Sequence, residues 1–315
     1  MPKPYQASGG RRLFFITVNY FCSNLIGELI ASTTSYGEAD CEFIVVNNSP
    51  GDTAIDAVAN QHGVTLLQAS HNLGFGSGCN LALDHVHQRD PQALAWLINP
   101  DAHLLPEAIS YVRSCISNDP SIAILGTRIM DMDGRLWFSQ GSFNPWLGTL
   151  KHRFDDVVAS PRPITTHPTR WLSGCSMVFN LAAFDSCPRF DPQYFLDYED
   201  ADICLRYERL GHRVRVTQAV LVEHQVSAIT QRVPGAKFRH ATFSKLYLLH
   251  RHATPLALGL NLLYFALRPV TFLAKDPDRA KGRWAGLLDY LRWVGRRLRG
   301  DRSPRHPRTR FTIAS

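Results

Sequence analysis

Two acidic stretches carry the side chains most suited to chemistry. Asn99-Pro100-Asp101 directly follows the apolar run Trp96-Leu97-Ile98. A carboxylate at the carboxyl end of a buried strand can hold a divalent cation on a diphosphate, since hard cations take oxygen ligands and keep phosphates as co-ligands. An aspartate after a strand also caps turns and helices, so this motif alone does not decide between the two roles.

The second stretch runs from Phe195 to Asp202. It contains the carboxylates of Asp197, Glu199, Asp200 and Asp202. Acidic residues suit the start of a helix, which explains one or two of them. Clustered carboxylates also raise the pKa of a neighbour, which suits that neighbour to accept a proton.

Two weaker signals lie elsewhere. The segment Asn72 to Asn80 has three alternate glycines, Gly74, Gly76 and Gly78, which allow the backbone to approach a ligand closely. A plain glycine turn is the alternative, and the spacing does not match the dinucleotide fingerprint. His224 follows an apolar segment, where a histidine is more often packed than a ligand.

The first half of the chain alternates strand and helix patterns. The predicted strands are Leu13–Asn19, Glu42–Val46, Thr65–Gln68 and Ala93–Ile98. The predicted helices are Asn24–Thr33, Thr53–His62 and Gly78–Gln88. This rhythm of continuous apolar strands indicates an α/β fold with a parallel sheet covered on both faces. The unusual residues fall at the carboxyl ends of these strands, where such folds bind ligands.

The second half has weaker periodicity. Met130 to Thr169 predicts irregular structure or a short hairpin over the site. Further on, we predict a strand within Trp171 to Asn180, a helix over Ala201–Leu210 and a short strand over Arg213–Val216.

Composition fits an ordinary globular protein, with 45% hydrophobic and 19% charged residues in a 315-residue chain. Seven cysteines without paired spacing predict reduced thiols in a cytosolic protein, most of them acting as small core residues. The net charge is +7, and the segment Lys275 to Arg310 holds twelve Lys and Arg against four Asp. The positive excess therefore belongs to the tail, which could bind anionic lipid or nucleic acid.

The tail has two consecutive helical patterns. Pro255 to Ala274 is apolar for most of its length, although Arg268-Pro269 argues against a single spanning helix. A second apolar face follows, with arginines on the other side. Its residues are Trp284, Leu287, Leu288, Leu291, Val294 and Leu298. We favour a basic amphipathic membrane-surface helix, and the alternative is a helix packed on the preceding domain.

Together these motifs resemble family 2 glycosyltransferases of the GT-A fold, especially the bacterial rhamnosyltransferase-like branch. The similarity runs from about Leu13 to His252. The matching segments are Thr17-Val18-Asn19-Tyr20, Val46-Asn47-Asn48-Ser49, Asn72 to Asn80, Leu97 to Asp101, Trp171-Leu172-Ser173-Gly174 and Phe190 to Asp202. The resemblance implies a Rossmann-like, mostly parallel sheet flanked by helices. We expect a catalytic domain over 1–252 and membrane-associating amphipathic helices with a basic tail over 253–315.

The resemblance also implies roles for individual residues. Asp101 and His224 would hold a divalent metal, Mg²⁺ or Mn²⁺, and Asp200 would be the general base. Donor and nucleotide contacts would come from Asn19, Tyr20, Asn47, Asn48, Asn72, Gly74, Asn80 and Asp101. Acceptor contacts would come from Trp171, Gly174, Glu199 and Asp202. Asn47 stands where the family usually has an Asp that contacts the nucleobase, so the choice of nucleobase is open. Asn99 stands at the first position of the family's Asp-x-Asp motif, which leaves one carboxylate, Asp101, for the metal.

The expected reaction is an inverting, metal-dependent single displacement. The branch suggests dTDP-L-rhamnose as donor and a lipid-linked glycan as acceptor, in cell-surface polysaccharide synthesis on the cytoplasmic face of the membrane. Another UDP- or dTDP-hexose is the alternative within the family. Two other classes compete. A nucleotidyltransferase usually needs a Gly-rich phosphate loop with Lys or Arg near the N-terminus. The run Gly9-Gly10-Arg11-Arg12 comes before the first strand and matches such a loop poorly, so this class lacks support. A nucleic-acid-binding function also lacks support, because no recognised nucleic-acid-binding motif accompanies the basic tail.

Overall fold

One large sheet, built from most of the strands, dominates the fold. The computed structural model describes residues 11–34, 41–154, 164–225 and 234–301. The strands are β1 Leu13–Asn19, β2 Cys41–Asn47, β3 Thr65–Gln68, β4 Leu94–Ile98, β5 Ala102–Leu104, β6 Ile122–Asp131, β7 Leu136–Phe138, β8 Gln140–Asn144, β9 Thr149–Arg153, β10 Thr166–Pro168, β11 Ser176–Asn180 and β12 Arg213–His224. The helices are α1 Ser23–Thr34, α2 Ala54–His62, α3 Phe75–Arg89, α4 Ala108–Asn118, α5 Glu199–Arg209, α6 Pro234–His252, α7 Pro255–Leu267 and α8 Pro277–Leu298.

The first half of the sheet is parallel, as the alternation of strands and helices predicts. β1 pairs in parallel with β2 and β4, and β2 pairs in parallel with β3. Every residue of β1 and β4 is buried. Such strands need cover on both faces, which the flanking helices supply. The carboxyl ends of these strands therefore meet at one edge.

The second half of the sheet is mixed. β11 lies antiparallel between β4 and β6, while β12 runs parallel to β6 and antiparallel to β5 and β10. The prediction of a short strand over Arg213–Val216 was wrong in length. β12 continues past Val216 through shifts of register against β6, and this extension carries His224 to the edge where β4 ends.

A hairpin of β8 and β9 lies within the segment predicted to form irregular structure or a short hairpin. The two strands pair antiparallel from Gln140–Arg153 to Asn144–Thr149. The first strand is fastened to the main body by a bridge between Gly141 and Trp171.

The C-terminal helices divide into a packed part and an exposed part. α8 packs closely on α6, because a Cβ atom on Gly286 would lie 2.3 Å from the Arg239 carbonyl oxygen. Arg239 also pairs with the buried Asp289 at 2.5 Å. The packed-helix alternative therefore holds for α8. The contacts of α8 with α6 cross the predicted domain boundary at residue 252, and that boundary stays a prediction.

α7 is different, since most of its leucines are exposed. It leads into a short 3-10 helix, Arg268–Phe272. By length and composition alone, Pro255–Phe272 could cross a membrane, and little of it is buried.

Candidate active site

Buried side-chain amides join the carboxyl ends of β1 and β2. Asn19 and Asn47 are register partners at the last pair of these strands. Asn19 Nδ2 donates to Asn47 Oδ1 at 3.2 Å and to Asp52 Oδ2 at 3.0 Å. Asn47 Nδ2 donates to Gln68 Oε1 at 2.9 Å. Both amides hold the strand ends together, so their contacts with a nucleotide stay predictions. Asp52 was not predicted, and its half-buried carboxylate lies at the same edge.

A second amide network fixes the glycine segment. Asn48 Oδ1 accepts the Leu73 N–H at 2.8 Å, and Asn48 Nδ2 donates to Asn72 Oδ1 at 3.1 Å. The Gly74 N–H also donates to Asn72 Oδ1, at 2.9 Å. Burial raises the pKa of Tyr20, and its hydrogen bond with Asn72 opposes that rise. Tyr20 and Asn72 keep partly exposed surfaces beside this network, so they are the better candidates for ligand contact.

The glycine segment, Asn72 to Asn80, packs against the acidic segment, Phe195 to Asp202. α3 begins at Phe75 rather than at Gly78 as predicted, and the Phe75 N–H donates to the Phe195 carbonyl at 3.1 Å. Asn80 makes two hydrogen bonds to the Phe190 backbone, at 2.9 and 2.8 Å. The predicted donor contact of Asn80 would have to break this pair. The docking explains why Gly74, with φ of 83°, is needed at the start of the helix.

Asp101 and His224 come together from distant parts of the sequence. His224 is the last residue of β12 and pairs with Ala102. His224 Nε2 lies 3.1 Å from Asp101 Oδ1, and both side chains are buried. His224 Nδ1 is also buried and has no hydrogen-bond partner, and the Trp137 ring lies 4.6 Å from the imidazole. The two residues predicted to bind a metal are thus adjacent.

No larger ligand cluster accompanies this pair. Within the described residues, no group of three or more His, Cys, Asp and Glu side chains could hold a metal ion. A carboxylate oxygen and an imidazole nitrogen are nevertheless suitable donors. A cation bound here would complete its shell with water and diphosphate oxygens, as Mg²⁺ commonly does.

The acidic segment enters α5 through strained backbone. Asp197 and Tyr198 have φ values of 66° and 69°, which non-glycine residues seldom adopt. Burial raises the pKa of Asp197 to about 6, with Lys237 opposing the shift and Asp200 adding to it. This backbone places Glu199 and Asp200 in the first turn of α5.

Asp200 has the geometry of a positioned base. Its Oδ2 accepts the Gly174 N–H at 3.0 Å, and its Oδ1 accepts the Ala201 N–H at 2.7 Å. Burial raises the pKa of Asp200, and these backbone donors reduce the rise without cancelling it. A carboxylate that is fixed in direction and more basic than usual is suited to take a proton.

Gly174 and Cys175 link Asp200 to the Asp101 side of the site. Gly174 contacts Asp200 directly, and the Cys175 carbonyl accepts the Asn99 N–H at 2.9 Å. Burial and the charge of Asp101 raise the pKa of the Cys175 thiol. Two adjoining residues therefore bridge the candidate base and the candidate metal ligands.

The other two carboxylates of the segment are buried. Glu199 is 5% exposed, and burial followed by the charges of Asp200 and Asp197 raises its pKa well above the ordinary value. Asp202 accepts from Arg206 Nε at 2.6 Å and from His252 Nε2 at 2.8 Å. Burial would raise the pKa of Asp202, but these partners lower it. Asp202 joins α5 to α6, and contact with an acceptor would require breaking those bonds.

Trp171 contacts aromatic rings from β7 and from the hairpin strand β9. Trp171 donates to the Ser142 carbonyl at 3.1 Å, and its ring lies 5.3 Å from Phe138 and 5.1 Å from His152. His152 is exposed, and its charge lowers the pKa of Asp200. Sequence reasoning did not single out His152, which lies in the weakly periodic segment. The predicted acceptor residue Trp171 thus contacts a hairpin residue, His152, whose charge acts on the candidate base.

Two rhamnosyltransferases are similar to this chain over most of its length. The L-rhamnosyltransferase of Mycobacterium tuberculosis named for N-acetylglucosaminyl-diphospho-decaprenol is 27% identical, covering 76% of this chain and 84% of that protein. The dTDP-rhamnosyl transferase RfbF of Shigella flexneri is 20% identical over 78% of this chain and 83% of its own length.

Solved structures show the same fold at low identity. The mannosyltransferase PcManGT of Pyrobaculum calidifontis, in complex with GDP-Man and Mn²⁺, is 15% identical with a TM-score of 0.50, covering 94% of this chain and 82% of that one. S. aureus TarS residues 1–349, in complex with UDP-GlcNAc, is 14% identical with a TM-score of 0.52 and 92% coverage of both chains. The model of glycosyltransferase like family 2 matches residues 13–242. The chain therefore belongs to this family and is a glycosyltransferase.

Proposed function

We propose that this enzyme transfers L-rhamnose from dTDP-L-rhamnose to a lipid-linked glycan during synthesis of a cell-surface polysaccharide such as an O-antigen. Two relatives support the choice of sugar. One is named as an L-rhamnosyltransferase of N-acetylglucosaminyl-diphospho-decaprenol, and the other as a dTDP-rhamnosyl transferase. Another dTDP- or UDP-hexose is the alternative donor.

The observation that carries the proposal is the Asp200 carboxylate, buried and aimed by two backbone N–H groups. In the transfer, Asp200 takes the proton of the acceptor hydroxyl while the hydroxyl oxygen forms its bond to the anomeric carbon. The bond from that carbon to the diphosphate oxygen breaks in line, and its electrons leave with the nucleoside diphosphate. One displacement of this kind inverts the anomeric centre.

Asp101 and His224 are the residues that would hold a divalent cation. Their adjacency and the unpartnered Nδ1 of His224 support this assignment. When bound, such a cation supplies positive charge that stabilises the departing diphosphate. Tyr20, Asn72 and Asp52 line the neighbouring end of the sheet and would bind the nucleoside.

A peripheral position on the cytoplasmic face of the membrane fits the exposed apolar residues of the C-terminal helices. On α7 and the following 3-10 helix, these are Leu256, Leu260, Leu263, Tyr264, Leu267 and Val270. Arg268 lies among them, and the tail carries a large positive excess. Apolar burial combined with attraction to anionic lipid is the usual basis of such attachment.

A donor screen tests the proposed function. The purified protein would be given dTDP-L-rhamnose, UDP-glucose, UDP-GlcNAc or GDP-mannose with a polyprenyl-diphospho-GlcNAc acceptor and Mg²⁺. Acceptor-dependent release of nucleotide is expected with dTDP-L-rhamnose, and NMR of the product should show an inverted anomeric configuration. Transfer from another donor alone would refute the rhamnose assignment, and retention of configuration would exclude a single displacement by Asp200.

A further inference from the structure

Three arginines converge on one aromatic ring at the junction of α7 and α8. The guanidinium carbons of Arg279, Arg268 and Arg283 lie 4.4, 4.7 and 5.4 Å from the centre of the Phe272 ring. Arg279 and Arg283 also lie over Phe238 of α6, at 5.1 and 5.9 Å. The three cations are therefore held together by aromatic packing, and we call them the arginine cluster.

The arginine cluster has no carboxylate partner among the described residues. Within the described part of the chain, no ion pair joins Arg268, Arg279 or Arg283 to an acidic side chain. In the part of the chain that the structure describes, Arg279 Nε and Arg283 Nη1 are buried and have no hydrogen-bond partner. By contrast, Arg239 and Arg251 of α6 pair with Asp289 and Asp191 at 2.5 and 2.8 Å.

Three neighbouring cations without an anion are costly. Like charges repel one another, and a buried unsatisfied N–H group loses its hydrogen bonds to water. Burial would raise the pKa of Tyr264, yet hydrogen bonds from Arg283 and Arg268 lower it, so this phenol already responds to the excess of positive charge. A bound anion would supply the missing acceptors and offset the repulsion.

The arginine cluster and the segment that carries Asp200 pack on the same helix, α6. Arg279 and Arg283 lie over Phe238 of α6, and the His240 ring, two residues further on, stacks on Phe195 with 4.4 Å between the ring centres. The Lys245 ammonium of α6 lies 5.3 Å from the centre of the Tyr198 ring, and Tyr198 stands two residues before Asp200. Helix α6 therefore joins the arginine cluster to the segment that carries the candidate base.

On the outer side of the arginine cluster, the neighbouring apolar residues are open to solvent. Leu267, Val270 and Leu273 are 60, 59 and 45% exposed. The apolar surface thus adjoins the group of cations, and the cations adjoin the helix that contacts the segment of the general base. A polyprenyl-linked acceptor has the matching order of sugar hydroxyl, diphosphate and hydrocarbon chain.

We propose that Arg268, Arg279 and Arg283 bind the diphosphate of the lipid-linked acceptor, which positions the acceptor sugar toward Asp200. This inference rests on the proposed function, because only a lipid-linked glycan acceptor carries both a diphosphate and a sugar hydroxyl. An anionic phospholipid headgroup offers the same phosphate chemistry, but its lipid lacks a sugar to reach Asp200. The cluster packs on α6, which also contacts the segment that carries Asp200, and this placement favours the acceptor.

The test uses the full-length protein and farnesyl diphosphate, with farnesol as the same chain lacking phosphate. EDTA is present, so that no metal ion recruits the diphosphate to Asp101 and His224. Wild type should bind farnesyl diphosphate at least tenfold more tightly than farnesol. Arg279→Gln and Arg283→Gln should each weaken binding of farnesyl diphosphate about tenfold or more, because each removes a charged hydrogen bond. Lys281→Gln, an exposed charge between them on α8, should change it less than twofold.

Three further measurements keep the result decisive. Thermal unfolding shows whether each variant is folded, and Arg283→Lys, which keeps the charge, should recover part of the affinity. Binding to phosphatidylglycerol vesicles should change little in the arginine variants. Equal binding of farnesyl diphosphate and farnesol by wild type would overturn the proposal. Variants that lose vesicle binding but keep farnesyl diphosphate would assign the cluster to lipid headgroups and overturn it equally.

This binding test does not depend on turnover. Suppose that the wild type transfers no rhamnose in the donor screen, but binding of farnesyl diphosphate is lost in Arg279→Gln or Arg283→Gln. The proposed sugar would then be refuted and the diphosphate site would stand. If instead both variants transfer rhamnose with an unchanged KM for the lipid acceptor, the diphosphate site is refuted and the proposed sugar stands.

Discussion

At the scale of single residues, Asp200 combines two opposing influences. Burial raises the pKa of its carboxylate, and the Gly174 and Ala201 N–H groups hold it in one direction. We expect Asp200→Asn to lower turnover by roughly two to four orders of magnitude, because the amide cannot take a proton. Since the ionised form is the base, wild-type turnover should fall as the pH drops through this raised pKa. Steady-state rates against pH measure both effects.

Calorimetry distinguishes proton transfer from donor binding in this variant. Asp200→Asn should bind nucleoside diphosphate and metal with near wild-type affinity. Glu199→Gln serves as the neighbouring control, since Glu199 is buried beside Asp200. Normal turnover in Asp200→Asn together with an inactive Glu199→Gln would assign the base to Glu199 instead.

Asp197 gives a prediction about stability. Its pKa is raised from 3.8 to about 6 in the folded protein. The folded state then binds more protons than the unfolded state between about pH 4 and 6, so the Asp197 contribution to the free energy of unfolding decreases as pH rises through that range. Asp197→Asn removes this penalty and tolerates a positive φ. It should raise the free energy of unfolding at pH 7.5 by on the order of 1–3 kcal/mol.

Urea unfolding at pH 7.5 and pH 4 measures the Asp197 effect. The gain should be largest at the higher pH and small at pH 4, where the aspartate is protonated in the folded state. A variant less stable than wild type at pH 7.5 would mean that the attraction of the Lys237 charge for Asp197 outweighs the cost of burial.

The Asp101–His224 pair predicts dependence on a divalent cation. Asp101→Ala and His224→Ala should each reduce turnover roughly a hundredfold or more, because charge on the leaving diphosphate loses its stabilisation. EDTA should inactivate wild type, and excess Mg²⁺ or Mn²⁺ should restore it. Full turnover in excess chelator would contradict the metal assignment and leave the role of Asp200 untouched.

Sequence reasoning located this region more reliably than it located side-chain directions. It predicted that Asp101 and His224 act together, and their side chains lie 3.1 Å apart. Asp200 is linked to that side of the site through Gly174 and Cys175, and the roles of all three residues stay predictions. Sequence reasoning could not foresee that the amides of Asn19 and Asn47 hydrogen-bond to each other, or that Asp202 accepts hydrogen bonds from Arg206 and His252. Strand position is encoded locally, whereas a hydrogen-bond partner 28 or 50 residues away is set by tertiary packing.

At the scale of elements, the start of α3 depends on one glycine. Gly74 has a φ of 83°, and a Cβ atom there would lie 2.4 Å from the Phe195 carbonyl oxygen. Gly74→Ala should therefore lower the free energy of unfolding by about 2 kcal/mol or more, from backbone strain and the clash together. Since this contact joins α3 to the acidic segment, turnover should fall as well.

Two other glycines distinguish the cost of backbone strain from the cost of the clash with Phe195. Gly63 has a φ of 63° but open space around it, so Gly63→Ala should cost about 1 kcal/mol from strain alone. Gly51 has open space and no left-handed φ, so Gly51→Ala should be nearly neutral. Thermal unfolding of the three variants ranks them, and equal losses at Gly74 and Gly63 would show that the Phe195 contact gives way easily.

The predicted elements were most accurate where the apolar pattern was continuous. β1 and β3 have the predicted bounds, and β2 and β4 differ by a residue at their ends. α4, β6 and α6 were not predicted. Nor could the insertion of β11 antiparallel between β4 and β6 be foreseen, because its neighbours lie about 80 and 50 residues away in sequence. Pairings of that range are fixed by closure of the sheet rather than by local pattern.

At the scale of the whole molecule, the C-terminal helices serve two purposes. α8 covers α6 through Gly282, Gly286 and the Asp289–Arg239 pair, so it contributes to the folded catalytic body. Removal of residues 253–315 would uncover the apolar face of α6 and is expected to leave the protein insoluble. A truncation therefore cannot test membrane attachment, which requires changes on the exposed face of α7.

Leu263 is the better position for that test, since it is 56% exposed on α7. Leu263→Asp removes apolar area and adds a charge that anionic lipid repels, so it should weaken binding to phosphatidylglycerol vesicles about tenfold. Leu210→Asp is the matched control, because Leu210 is 71% exposed at the end of α5. High salt should weaken wild-type binding only partly, since apolar burial is not screened. Equal binding of both variants in co-sedimentation would show that α7 does not contact the membrane, whereas loss in Leu263→Asp alone would show that its exposed apolar face does.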